Sequence, residues 1–483
     1  MEIDYNDLYI GGEWVAPKTE HRIQVHAAGT EELVGSVPEA HPVDVDAAVA
    51  AARAAFDDPA GWRHWTPEAR AEALNRFAAV LQDHAPEIAR RVSLQNGMPI
   101  SLAGLLEGTA PSALLRYYAG VAAAKAGDDR RPGMFGGHAV VVPEPVGVVA
   151  AIVPWNVPQG ITFMKLAPAL AAGCPVVLKP SPETVLDAFH VAEAAAAAGL
   201  PAGLINIVPG GAETGRYLVG HPGVDKVSFT GSTAVGRTIA ETCGRLLRPV
   251  SLELGGKSAA VVLDDADLSG LMDRFFRATL LNNGQVCWLG TRILAPRSRY
   301  AELVDVVTEM ARSLKVGDPL EPATQLGPLV SERQRDRVES YIAKGISDGA
   351  RLTVGGGRPG WADRGWYVDA TVFADVDNKS AIAQEEIFGP VLSVIPYIDE
   401  EEALALANDS EYGLGGSVWT TDAERGLAFA RRVQTGSVGV NSYANDPVAP
   451  FGGRKASGLG YELGPEGLAQ YQVLKSIYVD QQV

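Results

Sequence analysis

Apolar and polar positions along this chain fall into two rhythms, short alternating or continuous runs and longer stretches with helical spacing. "LYIGGEWVAP" (Leu8 to Pro17) alternates about Gly11-Gly12 and predicts a hairpin. "VDVDAAVAAARAAF" (Val43 to Phe56) is alanine-rich, with acids in its first turn that suit the helix dipole. "TPEARAEALNRFAAVLQDH" begins with Thr66 as N-cap and Pro67 at the first helical position, and its apolar residues keep helical spacing. From Val146 the rhythms alternate: the strand "VGVVAAIV", the helical "TFMKLAPALAAG", the strand "PVVLK" (Pro175 to Lys179) and the helical "VLDAFHVAEAAAAAG". The strands "INIVPG" and "KVSFTG" follow, and then another helix. Strands separated by helices of this length indicate βαβ units and a parallel sheet, the usual setting for a dinucleotide. A second series runs from "SAAVVL" (Ser258 to Leu263) to "GSVGVN" (Gly436 to Asn441). The boundary falls near Gly255-Gly256, and with no linker there the halves are expected to pack closely.

Composition narrows the class. A chain of 483 residues predicts two or three domains, and 47% hydrophobic with 20% charged residues fits a soluble globular protein. A net charge of -17 excludes nucleic acid and anionic membrane surfaces as partners, since both are polyanions. The acidic start "MEIDYNDLYIGG" is not a secretory signal, and no apolar run is long enough for a transmembrane helix. Cys174, Cys243 and Cys287 form no CxxC pair, which points away from disulfides and toward a reducing cytoplasm. The eight histidines show no HxxxH or HxH grouping, so no metal site is expected.

Few residues stand out as chemistry. A free cysteine is most often a small buried hydrophobe, which suits Cys174 at the start of a strand and Cys243 within a helix. Cys287 differs: it follows the turn-prone Asn283-Gly284-Gln285 and is expected on an exposed loop, where a thiol is available as a nucleophile. Glu253, in "VSLELGGKS", is a lone acid in an apolar run. It is either paired or solvated, or it is a general base whose pKa burial raises. "GGKS" lacks the earlier glycine of a phosphate-binding P-loop, because Ser251 occupies that place. "FTGSTAVGR" sets Gly231 and Gly236 at the mouth of a helix, either as an ordinary turn or as a pyrophosphate seat. Lys179 ends a strand where ribose hydroxyls are met. Asn156, in the proline-bracketed "PWNVP", is a turn residue or an amide donor to a developing oxyanion.

In this order the motifs "PWNVP", "VVLKPSPET", "FTGSTAVG", "LELGGKS", "NNGQVCWLGTR", "EEIFGPV" and "PFGGRKASGLGYELG" resemble the aldehyde dehydrogenase superfamily over nearly the whole chain. Glu253 and Cys287 lie 34 residues apart, the interval typical of that family. The resemblance implies an α/β fold with a Rossmann-like cofactor domain (1–120 and 143–254), an α/β catalytic domain (255–455) and a small β oligomerisation arm with the tail (121–142 and 456–483). It implies Cys287 as nucleophile, Glu253 as general base, and Asn156 with the Cys287 N–H as oxyanion hole. The cofactor residues it implies are Val153, Pro154, Trp155, Lys179, Ser181, Pro182, Glu183, Gly211, Gly215, Phe229, Gly231, Ser232, Val235, Leu254, Glu386 and Phe388. Pro182 stands where the NAD-preferring pattern has an acid, with Glu183 next to it, so NAD is favoured and NADP stays open. Val157, Ile161, Met164, Val286, Trp288 and Phe451 are carried over as substrate-pocket residues, and their apolar character suits a medium-sized aliphatic or aromatic aldehyde. Arg454 instead would reach a polar substrate. No metal is implied, and the assembly is a homodimer or homotetramer. The rivals are a CoA-acylating semialdehyde dehydrogenase, which typically lacks the acid at position 253, and a non-catalytic binding protein of the same fold.

Overall fold

The computed structural model describes residues 2–480 apart from 125, 126 and 128; those three and 481–483, part of the expected arm and tail, lie outside the described residues. The predicted hairpin forms from the antiparallel strands Leu8–Ile10 and Glu13–Val15, with Gly11 and Gly12 both at positive φ. Thr66 caps the helix Pro67–Asn96 by accepting from the Ala69 N–H at 3.2 Å. That helix runs beyond His84 to Gly97, whose left-handed backbone ends it; Pro86 inside does not break it.

Two sheets carry the molecule. The first has eight strands, and its parallel centre runs in the spatial order Val250–Glu253, Lys226–Thr230, Val149–Ile152, Val176–Lys179, Ile205–Ile207. Side chains alternate between its faces: Val149 and Ala151 join one apolar cluster, Ala150 and Ile152 another. Burial on both faces explains why these strands read as continuous apolar runs. The strand beginning at Val149 has the second strand of the series on one side and the fourth on the other. Strand order therefore reverses there, and the crevice beyond the strand ends is the place such sheets use for ligands.

The second sheet has seven strands, among them Ala259–Val262, Arg292–Pro296 and Val391–Tyr397. The chain crosses between sheets at 254–258, where the Gly255-Gly256 boundary was expected. A separate three-stranded sheet joins Asp129–Pro132, His138–Pro145 and Gln472–Val479. Residues 456–471 do not go with it: Gly458–Leu459 pairs antiparallel with the Glu253 strand, and Gly464–Ala469 packs on the helix Pro158–Ala172. No described helix is long and apolar enough to cross a membrane.

Candidate functional site

The sheet's switch point opens into a cavity of about 460 Å³. Pro154, Trp155 and Asn156 reach it from the end of the Val149–Ile152 strand, and Thr230, Gly231 and Ser232 from the end of the neighbouring one. Leu254, Gly255, Cys287, Glu386 and Phe388 close it from the second half of the chain. A wider depression of about 920 Å³ between the helices Pro42–Asp57 and Ala212–Gly220 contains none of the predicted residues.

Cys287 is half-buried rather than set on an exposed loop. The polar residues that suggested exposure are instead buried and tie the turn down. Asn283 donates to the carbonyls of Gly97 (2.9 Å) and Pro328 (2.8 Å) and accepts from the Gly327 N–H. Gln285 accepts from the Val330 N–H at 3.1 Å. Asn282 and Asn283 both take positive φ, strain of the kind that persists where surrounding bonds over-determine a segment. Asn156 joins the same turn by donating to the Gln285 carbonyl at 2.9 Å, which leaves the second N–H of its amide. Burial first, and then the carboxyls of Glu386 and Glu253, push the Cys287 thiol up and hold it protonated.

Glu253 ends its strand fully enclosed, and neither carboxyl oxygen has a hydrogen-bond partner among the described residues. Burial raises its pKa well above the usual carboxylate range; Glu462 adds repulsion and Lys165 opposes it. Lys165 itself is engaged, donating to Glu462 and to Thr230 Oγ1. Among the described residues Glu253 is thus an enclosed acid rather than a salt-bridged one. Glu386 accepts from the Gly256 N–H at 3.0 Å, and burial pushes it up to about 7. A Cβ at Gly255 would lie 2.7 Å from the Glu386 carboxylate, and one at Gly256 would lie 2.4 Å from the Cys287 carbonyl, so the Gly-Gly pair is a matter of close approach. Phe388 has φ of 63° and meets Trp155 edge to face at 5.2 Å.

A second group of predicted residues gathers farther along the sheet edge. Lys179 is buried, its ammonium donating to the carbonyls of Pro180 and Gly210, and burial lowers it to about 8. Gly215 lies against its stem and Gly211 starts the adjacent helix. Ser181 donates to Glu183 at 2.6 Å, and Glu183 also pairs with Arg333. Val153 donates to the Lys179 carbonyl and so links the two groups. The Phe229 ring lies where a side chain on Gly231 would go. Ser232 caps the helix Thr233–Arg245, and Val235 is exposed on its first turn.

Five of the six expected pocket residues, Val157, Ile161, Met164, Trp288 and Phe451, share one apolar cluster with Cys287. Val286 is outside that cluster and lines a small cavity together with Cys287, Gly256 and Ile387. Arg454 is exposed in a two-residue strand paired with Gly413.

Sequence reasoning missed Arg333, Gln334 and Arg337, which line the main cavity from the charged helix Glu332–Ser347. It also missed Glu39, which accepts from the Gly211 N–H at 3.2 Å, and Tyr443, which meets Trp288 edge to face at 4.8 Å. Only the "ERQRDR" run carried a signal, and it reads as an ordinary solvated face. Sequence spacing also gave no sign that His84 and His190, 106 residues apart, come together with Glu193.

A largely parallel sheet whose switch point opens on a half-buried cysteine is the frame of an α/β protein with a ligand crevice at its strand ends. Residues 14–477 match the aldehyde dehydrogenase family, to which this chain belongs. It is 55% identical to the geranial dehydrogenase of Castellaniella defragrans over 479 residues, 99% of this chain and 100% of that one. Identity to the phenylacetaldehyde dehydrogenase of Pseudomonas fluorescens is 40%, covering 98% of this chain and 96% of that one. The crystal structure of Mycobacterium tuberculosis aldehyde dehydrogenase complexed with NAD+ superimposes with a TM-score of 0.98 at 48% identity, over the full length of both chains.

Proposed function

We propose that this enzyme oxidises an apolar, medium-sized aldehyde, aliphatic or aromatic, to its carboxylic acid with NAD, through an acyl thioester on Cys287. The observation that carries the reading is the cavity at the switch point, onto which Cys287, Asn156, Glu386 and Phe388 all open. Cys287 releases its thiol proton to solvent and the thiolate attacks the aldehyde carbon, while the free N–H of the Asn156 amide with the Cys287 backbone N–H holds the oxyanion. Bound NAD supplies the hydride acceptor, so that the aldehyde carbon leaves this step at the oxidation level of an acid. Glu253 then takes a proton from water, and the hydroxide releases the acid and returns the thiol. A carboxyl that burial has already made basic is suited to that task.

The residues present fit the dinucleotide. Pro154, Trp155, Leu254, Glu386 and Phe388 would hold its nicotinamide half, in a cradle that a side chain at Gly255 would fill. Gly231, Ser232, Phe229 and Val235 would flank the pyrophosphate and adenine. Lys179, Gly211, Gly215 and the Ser181-Pro182-Glu183 turn would meet the ribose. Glu39 and Glu183 both act electrostatically on Lys179, so negative charge disfavouring a 2′-phosphate is present although Pro182 supplies none. The geranial and phenylacetaldehyde activities of the relatives, together with the apolar surroundings of Cys287, support the substrate class. The first sheet serves as cofactor domain and the second as catalytic domain. The strands Asp129–Pro132, His138–Pro145 and Gln472–Val479 form the arm of a homodimer or homotetramer. Three unpaired cysteines fit a cytoplasmic enzyme.

Reduced-nicotinamide formation with hexanal, benzaldehyde and geranial, each with NAD and with NADP and without CoA, tests the reading. Turnover with NAD at least about ten-fold above NADP is expected, a difference of about 1.4 kcal/mol. Turnover that requires CoA would overturn the role of Glu253.

A further inference from the structure

His84 and His190 take no part in the chemistry above, yet two packed helices bring them into contact. His84 lies on Pro67–Asn96; His190 and Glu193 lie one turn apart on Ala188–Ala197. The two Nδ1 atoms are 3.1 Å apart, and Glu193 Oε2 lies 2.8 Å from that of His190 and 3.8 Å from that of His84. Hydrogen bonds alone account poorly for this triangle. One ring nitrogen carries either one proton or one lone pair, in one direction, whereas His190 Nδ1 faces two partners at once. A cation satisfies all three lone pairs together. Donors about 2.0–2.2 Å from a zinc-class ion stand about 2.9 Å apart at right angles and about 3.4 Å apart at tetrahedral ones, and the three separations bracket these values. The outer support of a metal ligand is present as well. Tyr5 donates to the other Glu193 oxygen at 2.9 Å, and Arg91 donates to the Tyr5 hydroxyl at 2.8 Å, which fixes the carboxylate. His190 is buried, while the side chains of His84 and Glu193 keep 28% and 34% of their exposure, enough for entry and for water to complete the coordination.

We propose that His84, His190 and Glu193 bind a divalent transition metal of the zinc class, which cross-links the two helices. The donor set of two imidazoles and a carboxylate suits zinc, cobalt or nickel rather than calcium or magnesium. The same two helices support the active-site turn. Asn96, at the end of the first, donates to the Trp155 carbonyl at 2.7 Å, and Asp187, at the start of the second, accepts from Gln159 at 2.6 Å. The bound metal is a staple beneath that turn, not a participant in catalysis.

The test is calorimetric titration of the chelator-treated full-length enzyme with Zn2+, alongside His84→Ala, Glu193→Gln and Tyr5→Phe. The wild type is expected to bind one equivalent more than His84→Ala, with Glu193→Gln and Tyr5→Phe weakened at least about ten-fold. Zn2+ should raise the melting temperature of the wild type and leave that of His84→Ala unmoved. Equal turnover of the two metal-free proteins is the check that the variant folds. Co2+ should give visible ligand-field absorption without a thiolate charge-transfer band. Equal stoichiometry and affinity in wild type and His84→Ala would overturn the proposal, as would a Co2+ spectrum showing only thiolate ligation, which would place the metal on Cys287.

Discussion

Glu253 and Cys287 show how much a side chain's surroundings alter its chemistry. Both are in a state that water would not favour: burial pushes the acid up, and burial with two nearby carboxyls pushes the thiol up. In the roles proposed for them each must lose its proton to work, so acyl-enzyme formation and hydrolysis should both accelerate as pH rises through the neutral range and above it. A pH–rate profile that falls over that range would contradict these roles. Glu253→Gln should stall after the first turnover, giving a burst of reduced nicotinamide followed by turnover about 10²–10⁴-fold slower, measured by stopped flow. Cys287→Ala should abolish oxidation while dinucleotide binding, followed by calorimetry, is unchanged. At the other end of the site, Glu39→Gln should narrow the preference for NAD over NADP by about five-fold, measured as the ratio of kcat/KM values; this corresponds to about 1 kcal/mol. The proposed nucleophile and base could be singled out in the sequence because each is an isolated polar group in a short, specific motif. Glu39 was not, since only the approach of its loop to the helix Ala212–Gly220 gives it a meaning.

At the scale of elements, strands and caps followed their local sequence, whereas the supports of the catalytic turn did not. The helix Pro158–Ala172 begins without a side-chain cap of its own. Its first N–H groups are satisfied from elsewhere: Glu107 accepts from Gln159 at 2.7 Å and from Gly160 at 3.2 Å. Glu107 is fully enclosed, and burial, with Asp187 nearby, raises it from 4.5 to about 8. Between those values the unfolded chain releases the proton and the folded chain keeps it, so stability falls as pH rises from about 4.5 to about 8 and levels off above that. Each unit within the window costs up to about 1.4 kcal/mol. Glu107→Gln keeps an acceptor for both N–H groups and removes this contribution. Urea unfolding at pH 5 and pH 8 should therefore show a smaller loss for the variant than for the wild type. A loss of equal size would show that Glu107 is ionised in the fold.

For the whole molecule, the three-stranded sheet stands apart from the two large ones and carries exposed apolar side chains, among them Leu474, Tyr478 and, on the adjoining turn, Phe135. A monomer rarely leaves such a patch uncovered. Leu474→Asp with Tyr478→Asp should shift the mass measured by light scattering from an oligomer toward a single chain, with the far-ultraviolet circular dichroism unchanged. A wild-type mass of a single chain, or an oligomer mass unchanged in the variant, would contradict this role for the sheet.

Local sequence set the alternation of strand and helix, the hairpin at Gly11-Gly12, the cap at Thr66, the crossing between sheets near Gly255 and the motifs around Asn156, Glu253, Cys287 and Glu386. All of these rest on residues within a few positions of one another, where backbone preference and apolar periodicity act directly. Tertiary structure decided what depends on distant segments meeting. It turned the polar Asn283 and Gln285 inward and so half-buried Cys287, enclosed Glu253 with no hydrogen-bond partner among the described residues, lined the cavity with Arg333 and Arg337, and joined His84 to His190. Burial and pairing belong to the packed chain, because desolvation and hydrogen bonding act across space whatever the separation along the sequence.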